Sequence, residues 1–232
     1  MAQASVSYAF LTEGEFDAPP LHLLCLVREF DLGQLAGQLL GFKLLEASVT
    51  RTLSHYTSSL PWPFQPRWVC AAMRFGVVQA TGAVVSLGQS LHVASPAPAA
   101  AADATPAPPP GATRGTVHYS FYHIQPLPAQ RPGPGPGSGS GPARCRLRRI
   151  INVDMHVCLP RPLLRSSLTR HYAGDGRLIE AVLAGWEGSG LQRRLAEGEC
   201  YRAMERAMEE AKKEAEARGA GAEAPAEAAP AR

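Results

Sequence analysis

Alternation of apolar and polar positions is the clearest signal along this chain. Between residues 150 and 159, Ile151, Val153, Met155 and Val157 fall on one side, and Asn152, Asp154, His156 and Cys158 on the other. That is the period of a strand with one buried face. Val69, Ala71, Met73, Phe75 and Val77 repeat it, as do Val117, Tyr119 and Phe121. The pattern predicts strands over 6–15, 47–58, 68–79, 82–93, 115–124 and 144–159. Pro19 and Pro20 open a helix over 22–30, and a glycine-interrupted apolar stretch at 35–45 joins the helical side of the reading. A closing helix spans 162–186, broken near Gly174 and Gly176. Helices come first, then strands following strands without crossovers, then one helix. This is an α+β fold with an antiparallel sheet, not an α/β fold. The closing helix covers the sheet with Leu163, Leu164, Leu168, Ile179, Val182, Leu183 and Trp186. Such stripes fill a solid core or line a cavity equally well.

Two stretches interrupt the pattern. Residues 95–112 are nearly all Pro and Ala, and 131–143 nearly all Pro, Gly and Ser. Neither holds enough apolar side chain to offset its ordering entropy, so both are expected to be disordered insertions. The strand between them must pair with its flanks, which places the insertions in hairpin loops, where extra length costs little. One domain therefore covers 6–186. Residues 187–218 form a polar C-terminal helix whose narrow stripe (Leu191, Leu195, Tyr201, Met204, Met208) ends at Met208, leaving a frayed, solvated extension. Residues 219–232 are a disordered tail.

Composition removes several function classes. The 232 residues carry a formal charge of +3, with no basic stripe, which argues against a nucleic-acid partner. No apolar run approaches the roughly 20 residues of a spanning helix. The first ten residues lack the basic start of a secretory signal. Five cysteines without a C-x-x-C pair make no disulfide framework. The expected setting is cytoplasmic, with reduced thiols.

Catalytic signals are thin. The chain has no G-x-S-x-G, no phosphate-cradling glycine loop and no H-E-x-x-H. Asp154, His156 and Cys158 share a strand face but cannot easily converge on one tetrahedral ion. His118 and His123 point to opposite faces, and Cys25 reads as a small buried hydrophobe. No catalytic residue, metal or cofactor is expected. Arg67 is the candidate for binding a carboxylate or phosphate head group at the edge of an apolar cavity; Arg74 belongs to the wet face. The run Arg144, Arg146, Arg148 and Arg149 is either a solvated strand start or a transient contact with an anionic membrane surface, at about 1 kcal/mol per charge.

Three short segments carry a resemblance. Leu60-Pro61-Trp62-Pro63-Phe64, followed by Arg67 at a strand start, resembles the Pro-x-Pro…Arg junction of START-like (Bet v 1-like, helix-grip) lipid-binding domains. Glu29-Phe30-Asp31-Leu32 is similar to the acidic helix end of plant and algal members. Residues 152–157, leading through Pro160 and Pro162 into an apolar helix, are similar to the last strand and closing helix. The segments stand in the family's order and span most of 21–186. Gly33-Gln34-Leu35 and Trp68 depart from the pattern, at the tunnel mouth.

The resemblance implies a curved antiparallel sheet wrapped around a long C-terminal helix and enclosing a hydrophobic tunnel. Met73 and Phe75, Tyr119 and Phe121, and Val153, Met155 and Val157 would line it from the sheet. Leu164, Leu168 and Leu183 would line it from the helix. Arg67 would meet the ligand's head, with Trp62 and Phe64 at the tunnel mouth. The implied function is non-catalytic binding of a lipid or sterol-like ligand, with transfer as its extension. The alternatives are a cyclase or hydrolase on the same fold, and an interaction platform that holds a protein partner through the C-terminal helix.

Overall fold

The computed structural model describes residues 7–29, 31, 39–59, 65–91, 110–128, 143–154, 162, 165–166, 169 and 174–221. Strand β1 (Ser7–Phe16) leads into helix α1 (Pro20–Arg28). Strands β2 (Leu39–Ala47), β3 (Arg51–Ser58), β4 (Arg67–Val78) and β5 (Ala83–Ser90) follow. Next come β6 (Thr113–Arg114), β7 (Thr116–Leu127) and β8 (Arg144–Asp154). Helices α2 (Asp175–Ala184), α3 (Gly190–Glu197) and α4 (Glu199–Gly221) close the chain. The strands form one sheet in the order β1-β8-β7-β5-β4-β3-β2, every neighbouring pair antiparallel. The short β6 lies parallel to the start of β4. This is the α+β, helix-grip arrangement.

Helix α1 starts where the sequence places it, with Pro19 extended and Pro20 at the first helical position. Leu23, Leu24, Cys25, Leu26 and Val27 are all buried. Five consecutive buried residues leave no polar face, so α1 is enclosed rather than laid on a surface. It packs between strands β5, β7 and β8 on one side and helices α3 and α4 on the other. Each of its buried leucines contributes about 1.5–3 kcal/mol by leaving water.

Three expectations need correction. Of the stretch at 35–45, expected on the helical side, the described part from Leu39 on is strand β2. Leu39, Phe42 and Leu45 are half-buried at a spacing of three, which imitates a helical stripe. The cause is irregular pairing, since the register with β3 shifts between Leu39 and Gly41 and again between Leu44 and Glu46. The expected strand over 47–58 is in fact the end of β2, a turn in which the Ser48 amide donates to the Arg51 carbonyl at 2.8 Å, and β3. The C-terminal extension is the third. Leu191, Tyr201 and Met204 belong to the main core cluster, and Ala211 is 1% exposed. Only from Lys212 to Arg218 is α4 exposed all round, and its backbone stays helical to Gly221.

The buried residues of the concave face form two clusters. One gathers Met73, Phe75, Val84, Tyr122, Ile124 and Leu147 under α1, α2 and α4. The other gathers Val69, Ala71, Val117, Ile151 and Val153, with Phe10 and Tyr56 packed against it. Gly88 lies between them, where a Cβ would come within 2.5 Å of Ser120 Oγ and 3.1 Å of Met73 Cγ, so a larger residue would have to displace those side chains.

Candidate functional site

Cross-strand register lays the concave face out in rows. One row runs Phe75, Ser86, Tyr122, Arg149, Thr12 across β4, β5, β7, β8 and β1. The next runs Val77, Val84, Ile124, Leu147, Gly14. Over the β1 and β8 end of these rows the described residues leave a cavity of about 60 Å³. Its walls are Thr12, Gly14 and Phe16 of β1, Leu23, Leu26 and Val27 of α1, Tyr122, Leu147 and Arg149 of the sheet, and Asp175, Gly176 and Ile179 of α2, with Glu13 at its rim.

Set into this largely apolar wall is an ion pair. The Arg149 side chain, 16% exposed, binds the Asp175 carboxylate, 13% exposed, and Asp175 is the first residue of α2. The guanidinium lies 5.4 Å from the centre of the Tyr122 ring, a cation–π contact. In the same row, Ser86 is 1% exposed and its hydroxyl has no hydrogen-bond partner among the described residues.

The expected site residues divide unevenly. Met73 and Phe75 face inward within the cluster that surrounds the cavity, and Leu183 packs against it. Val153 faces inward in the second cluster. Met155, Val157, Leu164, Leu168, Trp62 and Phe64 lie outside the described residues. Tyr119 and Phe121 are on the wrong face. Val117 pairs with Val153, but the register shifts at His118, so Tyr119 pairs with Asn152 and Phe121 with Ile150. That single extra residue turns Ser120, Tyr122 and Ile124 inward and leaves Tyr119 39% exposed. Leu11, Ile150, Phe121 and Leu87 then form an apolar row across the outer face, which is less wet than alternation alone predicts.

Arg67 is buried, but eight residues up β4 from Phe75, about 26 Å along the strand and far from the cavity. Its Nη1 donates to the main-chain carbonyls of Gln65 at 2.7 Å and Pro66 at 3.4 Å. Burial lowers its pKa.

The arginine run is not one patch. Arg144, Arg146 and Arg148 face outward and meet the acids of β1: Arg144 binds Glu15 at 3.1 Å and Asp17 at 3.0 Å, Arg146 binds Glu15 at 2.6 Å, and Arg148 binds Glu13 at 3.2 Å. Hydrogen bonding to Arg146 holds the Glu15 carboxyl below its usual range. Arg149 has the opposite phase and turns inward.

A second polar knot ties the C-terminal helices to α1. The Tyr201 hydroxyl donates to Glu29 at 2.6 Å, and Arg194 binds both Glu29 and Asp31. Burial pushes the Cys25 thiol up to about 12 and raises Tyr201 as well, which leaves both protonated at neutral pH. A wider depression of about 340 Å³ lies outside the sheet among α1, α3 and α4, beside His22, which stacks on Trp186 at 4.0 Å. Among the described residues no group of three or more His, Cys, Asp or Glu is placed to hold a metal ion. None of the helices there is long and apolar enough to cross a membrane.

No family model matches the sequence, and no curated protein matches it. Solved structures do match the fold. Human STARD10 superposes with a TM-score of 0.60 at 16% identity, covering 88% of this chain and 74% of that one. Human StAR-related lipid transfer protein 5 gives 0.55 at 18%, covering 75% and 76%. A STAR-related lipid transfer protein from Xanthomonas axonopodis gives 0.54 at 14%, covering 79% and 90%. The chain has the START-like fold.

Proposed function

We propose that this protein binds a hydrophobic ligand, a lipid or sterol-like molecule, between the concave face of its sheet and helices α1 and α2, without catalysis. The observation that carries the reading is the cavity at that place, walled by Phe16, Leu23, Leu26, Val27, Leu147 and Ile179. Solved structures of like fold bear the name of lipid transfer proteins. Removing a ligand's apolar surface from water supplies the driving force, about 25 cal/mol per Å². The cavity of about 60 Å³ is smaller than the roughly 300–1,000 Å³ of ordinary ligand sites. Uptake therefore requires α2 to move away from the sheet. The folded unit that performs this runs from β1 to about Ala211 in α4. A cyclase or hydrolase would need an acid–base pair in the cavity. The ion pair set into its wall is Arg149 with Asp175, and an arginine does not give up its proton.

Gly176 offers a clean test, since it lines the cavity and a Cβ there would meet nothing within 4 Å. Gly176→Leu adds an apolar side chain at the cavity wall, with its Cβ clear of any neighbour. It is expected to abolish uptake of a fluorescent fatty-acid probe while leaving the unfolding midpoint unchanged or raised. Undiminished uptake would place the ligand elsewhere.

A further inference from the structure

The Arg149–Asp175 pair closes the cavity wall and also fixes what kind of ligand can open it. Both side chains are more than four-fifths buried, and they join β8 to the first turn of α2. A ligand that parts α2 from the sheet must part this pair. If the incoming molecule is neutral at that point, a largely buried ion pair is broken and the ligand puts nothing in its place, which is unfavourable. If it carries its own anion, the guanidinium exchanges one oxyanion for another and the Nη1 donor that held Asp175 keeps a charged acceptor. The surroundings suit such an exchange. Tyr122 supports the guanidinium from the sheet side, and Thr12, on the neighbouring strand in register with Arg149, also lines the cavity. Apolar walls from α1, Leu147 and Ile179 adjoin the charge, so an anionic head and an apolar chain are accommodated side by side.

We infer that the ligand is an amphiphile with an anionic head, a carboxylate or a phosphate monoester, which takes the Arg149 guanidinium from Asp175 as it enters. The inference rests on the hydrophobic-ligand reading above and narrows it. Arg149, not Arg67, is the head-group residue, and Asp175 is the internal competitor that keeps the empty site shut.

The experiment uses the full chain and three probes sharing one fluorescent 18-carbon chain: the fatty acid, the alkyl phosphate and the fatty alcohol. Wild-type protein is expected to bind the acid and the phosphate about tenfold or more tighter than the alcohol, as one charge-assisted contact predicts. Asp175→Asn removes the pair that every ligand must break, and is expected to tighten all three probes while the acid and the phosphate stay ahead of the alcohol. The double variant Arg149→Gln with Asp175→Asn removes both charges together, so it avoids an orphaned charge; in it the three probes should bind alike. Acetate and inorganic phosphate, at concentrations matching the probes, should not displace the acid probe; displacement would make this a site for free anions and overturn the proposal. Equal binding of acid and alcohol by the wild type would overturn the anionic-head inference while leaving the hydrophobic-ligand reading intact. If the wild type binds none of the three, both fail.

Discussion

Val117 and Tyr119 stand two residues apart on β7 and lie on opposite faces of the sheet. Val117 pairs with inward Val153 and Tyr119 with outward Asn152, because the register slips at His118. Everything on β7 beyond that point has its phase reversed, so Tyr122, 5% exposed, is a core residue and Tyr119 is not. Tyr122→Ala is expected to cost about 3 kcal/mol or more, as large-to-small core changes do. Tyr119→Ala should stay within about 0.5 kcal/mol. Urea unfolding of the two variants separates these expectations; the reverse order would mean that β7 keeps one phase throughout.

The C-terminal helix makes a second prediction. Met204, 5% exposed, sits in the main cluster, and Tyr201 reaches Glu29 on the end of α1. Met204→Ala should cost about 2–5 kcal/mol. Tyr201→Phe should cost about 1.5 kcal/mol, the value of one hydrogen bond to a charged acceptor. Ending the chain after Ala211 should change stability by no more than about 0.5 kcal/mol, since Lys212 to Arg218 are exposed. Denaturant midpoints of the three variants check this, and a large loss on truncation would contradict it.

Stability should also fall on mild acidification. Burial lowers the pKa of His22, opposed by Glu187, and lowers that of His55, reinforced by the charge of Lys43. The His55 ring packs at a tilt against Trp68, 5.5 Å between centres, and its Nε2 is buried with no hydrogen-bond partner among the described residues. A histidine depressed in the folded state takes up its proton first in the unfolded chain. The associated stability is complete above the ordinary value of about 6.5 and is lost as pH falls from there toward the folded values. Urea midpoints measured from pH 7.5 to 5 should decline, and His55→Phe should flatten the decline. A flat profile for the parent protein would show that neither imidazole is held neutral.

The sequence and the structure agree where one period governs one element. The alternation of Ile151 and Val153 and the double proline before α1 needed no tertiary information. Misreadings arose where pairing broke the period. Bulges made β2 resemble a helix, and one at His118 turned Tyr119 and Phe121 outward. Arg149 was legible in principle. Leu147, Arg149, Ile151 and Val153 share one phase, so extending the inward face of β8 back by two residues reaches it. Its neighbours Arg144, Arg146 and Arg148 disguised it as part of a solvated run. The acids that claim those neighbours, Glu13, Glu15 and Asp17, lie more than 120 residues away in the chain. No local pattern could pair Arg149 with Asp175 either, because only the packing of α2 against β8 brings them together.

The proposed function puts a hydrophobic ligand in the space between the concave face and α2. Native mass spectrometry of the full chain, purified gently from a bacterial host and followed by lipid extraction, tests it most directly. Discrete adducts that vanish on denaturation, identify as lipids and are lost in Gly176→Leu are the predicted result. A clean ligand-free mass, with no uptake of fluorescent fatty-acid or sterol probes, would contradict the claim.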